Sequence, residues 1–238
     1  MPNWTWNKIT CKKNIGDKIL TKTEEGYSFN FNKLIPMPES LKMTAGSIED
    51  KAVASYFLSL DELEKVKVKE QLLKSKLPFY GSYWNKYQRD INDYINNPDK
   101  LKEERKTFNG GAEDGDKDIK DLNELGKKYI DNINNHGYSQ WYDWCNEKWG
   151  TKWNVDDEVE VDYDSSTEKY EICFNTAWNP PYGIIEEYSK LCGDNEFDWE
   201  YMNDDYDGHH YLTKENNKII DRVVDNDNYY ENEEDMEI

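Results

Sequence analysis

The sequence is short of histidine, of paired cysteine and of long apolar runs, and each shortage closes off a class of function. Three histidines in 238 residues (His136, His209, His210) leave few groups able to exchange a proton near neutral pH. Four cysteines (Cys11, Cys145, Cys173, Cys192) lie far apart with no CxxC pair. That spacing supports neither a disulfide framework nor a zinc site, and the thiols read as reduced and mostly buried in a cytosolic protein. No stretch approaches the roughly 20 apolar residues needed to span a bilayer. Met1-Pro-Asn-Trp-Thr-Trp lacks the basic-then-apolar pattern of a secretory leader. There is no P-loop, no GxGxxG, no GxSxG and no HExxH. The expectation is a cytoplasmic binding protein rather than an enzyme, with no cofactor.

What is abundant is acid and aromatic surface. Thirty Lys+Arg face 50 Asp+Glu, a formal charge of -20, and nine Trp and eighteen Tyr accompany them. Disordered acidic chains are poor in rings, because without large apolar groups they cannot offset the entropy of ordering. A folded chain with a ring-built core is expected. The charge is unevenly spread: residues 1–110 carry a net +4 (19 basic, 15 acidic) and residues 111–238 a net -24 (11 basic, 35 acidic). A field of that sign repels nucleic acid and speeds encounter with a cationic protein.

Along the chain, residues 3–11 alternate apolar and polar side chains with a slip after Trp6, which predicts a strand with a bulge that turns Trp4, Trp6, Ile9 and Cys11 to one side. A second strand is expected at 27–31. Residues 47–77 read as a helix started by Ser47, Glu49 and Asp50, followed by helices at 83–96 and 118–134 and a Gly-rich loop at 109–116. After a turn at His136-Gly137 come a Trp-rich helix at 140–148, strands at 155–162 and 169–176, a helix at 183–192, and strands at 197–202 and 210–214. The domain expectation is an α+β core at 1–46 and 136–220, a helical insertion at 47–135, and a disordered acidic tail at 221–238. Trp149 and Trp153 are expected in the core as a ring-packed joint.

Four segments carry a resemblance. Met1-Pro-Asn-Trp-x-x-Asn, Ile35-Pro-Met-Pro, Trp149-Gly-Thr-Lys-Trp-Asn and Phe174-x-Thr-Ala-Trp-x-Pro-Pro resemble, in order, the Api92-like (YubB-like) ferredoxin-fold family of phages and plasmids. The resemblance implies an α+β, ferredoxin-like antiparallel sheet with packing helices, and a mobile-element origin. It implies no catalytic site. Thr5 stands where a Cys is common in the family, and the 47–135 block has no counterpart in the resemblance.

Two constellations point to function. Glu158, Glu160 and Asp162 alternate with Val159 and Val161, and Glu196, Asp198 and Glu200 alternate with Phe197, Trp199 and Tyr201, so two strands would each show a row of carboxylates. Asp204, Asp205 and Asp207 precede His209 and His210 in one loop. Strands sharing one sign of charge bear mutual repulsion, and a basic partner would relieve it. These nine carboxylates are the candidate partner-binding surface. The function expected is a phage- or plasmid-derived inhibitor of a host defence nuclease or effector, with anti-CRISPR activity as its most concrete version, that mimics nucleic acid and binds no nucleic acid or membrane itself. The alternative is a metal-dependent enzyme acting on a nucleotide or defence signal through the Asp204–His210 cluster.

Overall fold

The computed structural model describes residues 3–24, 26–108, 121–155, 158–194, 196–203 and 208–224. The chain divides into two compact units, one discontinuous (Met1–Pro36 with Cys145–Ile238) and one continuous (Met37–Trp144). The insertion therefore begins and ends about ten residues away from the bounds expected from the sequence.

The discontinuous unit is built on six antiparallel strands: β1 (Trp4–Lys12), β4 (Glu160–Asp164), β5 (Lys169–Ala177), β6 (Asp198–Asn203), β7 (His209–Glu215) and β8 (Lys218–Val224). They lie in the order β4-β5-β1-β6-β7-β8. The first four of these strands in chain order thus occupy the order second-third-first-fourth, the split β-α-β arrangement of a ferredoxin-like sheet, with β7 and β8 added at one edge. Helix α1 (Lys13–Ile19) follows β1, and helix α8 (Tyr182–Ser189) links β5 to β6. A small hairpin, β2 (Leu20–Thr23) and β3 (Gly26–Phe29), completes the unit. The fold class is α+β, as expected.

One face of the sheet carries the core. Ile9, Ile172, Phe174, Trp199, Tyr201 and Leu212 point into it and are buried. Phe29, Phe31 and Trp149 meet Phe174 or one another edge-on, with centroids 5.1–6.0 Å apart, and Tyr188 of α8 packs on Trp199 and Phe197. A Cβ on Gly16 of α1 would lie 2.2 Å from the Tyr170 ring, so only glycine lets this helix lie so close to β5.

β1 departs from its expected register, and the reason is polar. It runs from Trp4 to Lys12 with unbroken alternation, burying Thr5, Asn7, Ile9 and Cys11, so Trp4 and Trp6 sit on the opposite face from Ile9. Asn7 is tolerated inside because its Nδ2 donates to Thr5 O and Thr176 Oγ1, while Trp199 Nε1 donates to its Oδ1. Thr5 Oγ1 donates to Asn203 Oδ1. Hydrophobic periodicity cannot see a polar residue that a paired strand will satisfy.

Two further expectations are corrected. β8 occupies Lys218–Val224 in a full ladder with β7, so the acidic tail does not begin at residue 221; residues 225–238 lie outside the described residues. Trp149 is buried and donates its Nε1 to Ile35 O, whereas Trp153 is exposed. The two rings do not form one joint.

The continuous unit is helical: α2 (Ser47–Ser59), α3 (Glu62–Lys74), α4 (Tyr83–Asn96), α5 (Pro98–Thr107) and α6 (Leu122–His136), with α7 (Trp141–Lys148) crossing its boundary. The helix expected over 47–77 is broken at Leu60-Asp61, because Asp61 accepts from Glu64 N while the Glu64 carboxylate accepts from Asp61 N, a capping box that starts α3. Gly126 of α6 lets that helix touch α2; a Cβ there would lie 2.0 Å from Ala52 O. His136 ends α6, and Gly137 caps it at φ 82°, as the expected turn required.

A buried polar knot lies among these helices. Glu49 lies in the first turn of α2, as expected, but is fully buried, and Gly46 is the residue that precedes the helix. Glu49 Oε1 accepts from Lys86 Nζ (2.7 Å), Tyr87 Oη (2.6 Å) and Ser139 Oγ (2.6 Å). Burial alone would lower the Lys86 ammonium, but Glu49 and Asp143 reverse this and hold it above its ordinary range.

Candidate functional site

The six strands place every second residue on the sheet face opposite the core. Pairings run Glu160–Cys173–Lys8–Glu200–Tyr211–Arg222 across all six strands in one row. The neighbouring row has Asp162 opposite Glu171, which in turn faces Thr10, while Asp198 faces Thr213. This face therefore gathers carboxylates from β4, β5 and β6, with Lys8 of β1 at its middle.

The candidate residues fall into four groups. Glu160, Asp162 and Asp198 are exposed on this face. Glu158 is exposed just ahead of β4 and takes no place in its ladder. Two others are already engaged: Glu200 lies 3.2 Å from Lys8 Nζ and 3.1 Å from His209 Nε2, and Glu196, just before β6, pairs with Lys12 at 2.6 Å. Asp204, Asp205 and Asp207 lie outside the described residues. Glu171, exposed on β5, belongs to the face although the sequence did not single it out; it is one carboxylate in KYEIC, and only its register opposite Asp162 reveals the role.

Electrostatics follow the crowding. Although Asp198 reaches solvent, the atoms packed around its carboxyl shield it from water and push it up; Glu200 adds to this while Lys8 and Lys169 oppose it. Burial would lower the Lys8 ammonium, but its bond to Glu200 and the charges of Glu200 and Glu171 hold it above the usual range. The Lys12 bond draws Glu196 down. Asp162 and Glu171, directly opposite, form a like-charge cross-strand pair of the kind that destabilises a sheet. At the hairpin end, Asp164 takes hydrogen bonds from Ser166 and Thr167 and is lowered to about 2.

The histidines do not converge. As successive residues of β7, His209 and His210 point to opposite faces. His209 stacks on Tyr211 and lies beside Glu200, and burial lowers its pKa. His210 stacks on Tyr201, with its Nδ1 2.9 Å from Asp221. Among the described residues, no group of three or more His, Cys, Asp or Glu is placed to hold a metal ion. Cys11 and Cys145 are pushed up to about 12 by burial, and burial also raises Cys173 and Cys192. These thiols are far from the depressed values that mark a reactive thiolate. Among the described residues no helix is long and apolar enough to cross a membrane.

No protein-family model matches the chain, and no curated protein does. Among solved structures, the crystal structure of a protein api92 from Yersinia pseudotuberculosis, under the family model DUF1281, aligns at a TM-score of 0.37 and 10% identity. The alignment covers 94% of this chain and 98% of that one. The likeness is weak and carries no functional argument.

Proposed function

We propose that the chain is an anti-defence binding protein that inhibits a host nuclease or effector complex, with anti-CRISPR activity as the most concrete form. Its acidic sheet face would occupy a basic groove in place of nucleic acid. One observation carries this reading: Glu160, Asp162, Glu171 and Asp198 come from three strands yet share the face away from the core. Aligned carboxylates can stand in for phosphates in charge-assisted bonds to Arg and Lys. The Asp162–Glu171 opposition costs stability in the free protein, and a cationic partner would relieve it.

The test is capture from host lysate by tagged protein at about 0.1 M and about 0.5 M salt, which bracket weak and strong screening. A basic nucleic-acid-binding subunit retained at the lower salt and released at the higher supports the reading. A partner held equally at both would point to an apolar interface and overturn the mimicry. Reversal of Glu160 and Asp162 to Lys should abolish capture.

A further inference from the structure

At one end of the sheet, three segments of the discontinuous unit converge and display tryptophan. Trp4 opens β1, Trp153 lies in the loop after α7, and Trp178 follows β5. They are 36%, 37% and 47% exposed, although Trp is among the largest side chains a core can bury. Their backbone supports are hydrogen-bonded to one another. Trp178 N donates to Asn3 O, Thr151 Oγ1 donates to Ala177 O, and Gly183 N donates to Trp149 O. A Cβ on Gly183 would lie 1.9 Å from Lys148 O, so the end of α7 and the start of α8 touch backbone to backbone. Trp178 is held at φ 72°, a left-handed conformation that a bulky residue adopts only when its surroundings impose it.

The rings already show what they accept. Lys152 Nζ sits 4.1 Å from the Trp153 ring centroid and 4.9 Å from that of Trp178, while Trp4 stacks on Trp153 at 6.5 Å. A cation over two tryptophan faces is cation–π geometry. The unit that carries the rings has 30 Asp+Glu against 13 Lys+Arg, so a cationic partner is the one its field draws in.

We infer that Trp4, Trp153 and Trp178 form a second contact surface that takes arginine side chains of the partner, with Lys152 giving up its place on the rings. This rests on the reading of the protein as an acidic inhibitor. Guanidinium is planar and weakly hydrated and stacks on indole better than ammonium does, whereas the displaced Lys152 regains water on a flexible stem. Exposed tryptophan and partner arginine are also the residue types that dominate binding energy at protein interfaces.

The experiment measures calorimetric binding of two synthetic peptides of equal charge, Ac-(Gly-Arg)5-amide and Ac-(Gly-Lys)5-amide, to the full chain at low salt. The natural sequence should prefer the arginine peptide by about three- to tenfold, one or two cation–π contacts in size. Trp153→Leu and Trp178→Leu keep apolar bulk and remove the π face. They should collapse the preference towards the residual carboxylate selectivity while leaving salt-sensitive binding of both peptides. Lys152→Met should tighten the arginine peptide by removing a competing cation; weakening would mark Lys152 as an anion ligand and overturn the inference. Unchanged preference in both Trp variants, with folding verified by thermal melting, also overturns it. Glu160→Lys with Asp162→Lys should weaken both peptides alike and keep the preference. If that double variant binds as the parent does, the acidic-face reading fails and the tryptophan surface stands alone. If neither peptide binds the parent, both fail.

Discussion

The two units of this chain handle charge in opposite ways. The discontinuous α+β unit carries 13 Lys+Arg and 30 Asp+Glu, a net of -17, and lays carboxylates side by side on a sheet face. The helical unit carries 17 and 20, a net of -3, and takes its most constrained carboxylate, Glu49, into the interior with three hydrogen-bond donors around it. In the first, charge is left where it repels its neighbours and can meet another molecule. In the second, the Glu49 charge is met by Lys86 within the unit. Crowded, partly uncompensated charge is the better mark of a binding surface, because folding gains nothing from it.

The sharpest break of this comparison removes one internal partner in each unit. Lys86→Ala would strand Glu49 without its cation and should cost about 3–5 kcal/mol, the penalty of an uncompensated buried charge. Trp149→Ala in the α+β unit should cost a similar amount, about 3–5 kcal/mol, through the cavity left against Phe31. Urea unfolding followed by circular dichroism measures both. If Lys86→Ala were nearly neutral, the polar knot would be open to water and the contrast between units would lapse. Trp153→Ala, at an exposed ring, should cost under about 1 kcal/mol, and a loss as large as that of Trp149→Ala would restore the paired core joint that the structure rejects.

These differences show what could be read from the residues alone. The charge asymmetry, the α+β class, the helical insertion, the turn at Gly137 and the alternating carboxylates of β4 and β6 were legible, because composition, alternation and turn chemistry are local. The burial of Thr5 and Asn7 was not, since it depends on Thr176, Trp199 and Asn203 arriving from distant strands. Nor was Glu171 legible, whose meaning is its register with Asp162. Glu49 looked like an ordinary first-turn acid until Lys86, Tyr87 and Ser139 surrounded it. Helix α5 was missed because Pro98 reads as a stop after α4, although proline equally suits the first turn of a new helix.

A smaller effect separates the units by pH. Asp50 of α2 is raised to about 6, chiefly by burial and further by Glu49 and Asp90, against the pull of Lys86 and Arg89. Its Oδ1 is buried with no hydrogen-bond partner among the described residues. A raised carboxyl favours the fold while protonated. Below about pH 4 the folded and unfolded chains both carry the proton and there is no penalty; between about 4 and 6 the penalty grows, and above 6 it is constant. Asp50→Asn should therefore raise stability at pH 7 by on the order of 1–2 kcal/mol and leave it unchanged below pH 4. Denaturant midpoints at pH 3.5 and pH 7 decide this, and equal gains at both would assign the effect to packing.

The smallest stability change should accompany the largest loss of binding, and that pairing would sharpen the comparison most. Asp162→Lys turns the opposition with Glu171 into an attraction and should stabilise the sheet by roughly 0.2–1 kcal/mol, with Glu160→Lys nearly neutral on the edge strand. Capture of a basic partner should nevertheless fail in the double variant, since the face has lost two carboxylates and gained two cations. Equal reversals on the helical unit, at exposed Glu62 of α3 and Glu103 of α5, change the net charge by the same amount. If binding answered only to net charge, both pairs would weaken capture equally and the sheet face would have no special standing. If the face is the contact, only the first pair abolishes it, while the second slows association modestly through the weakened long-range field.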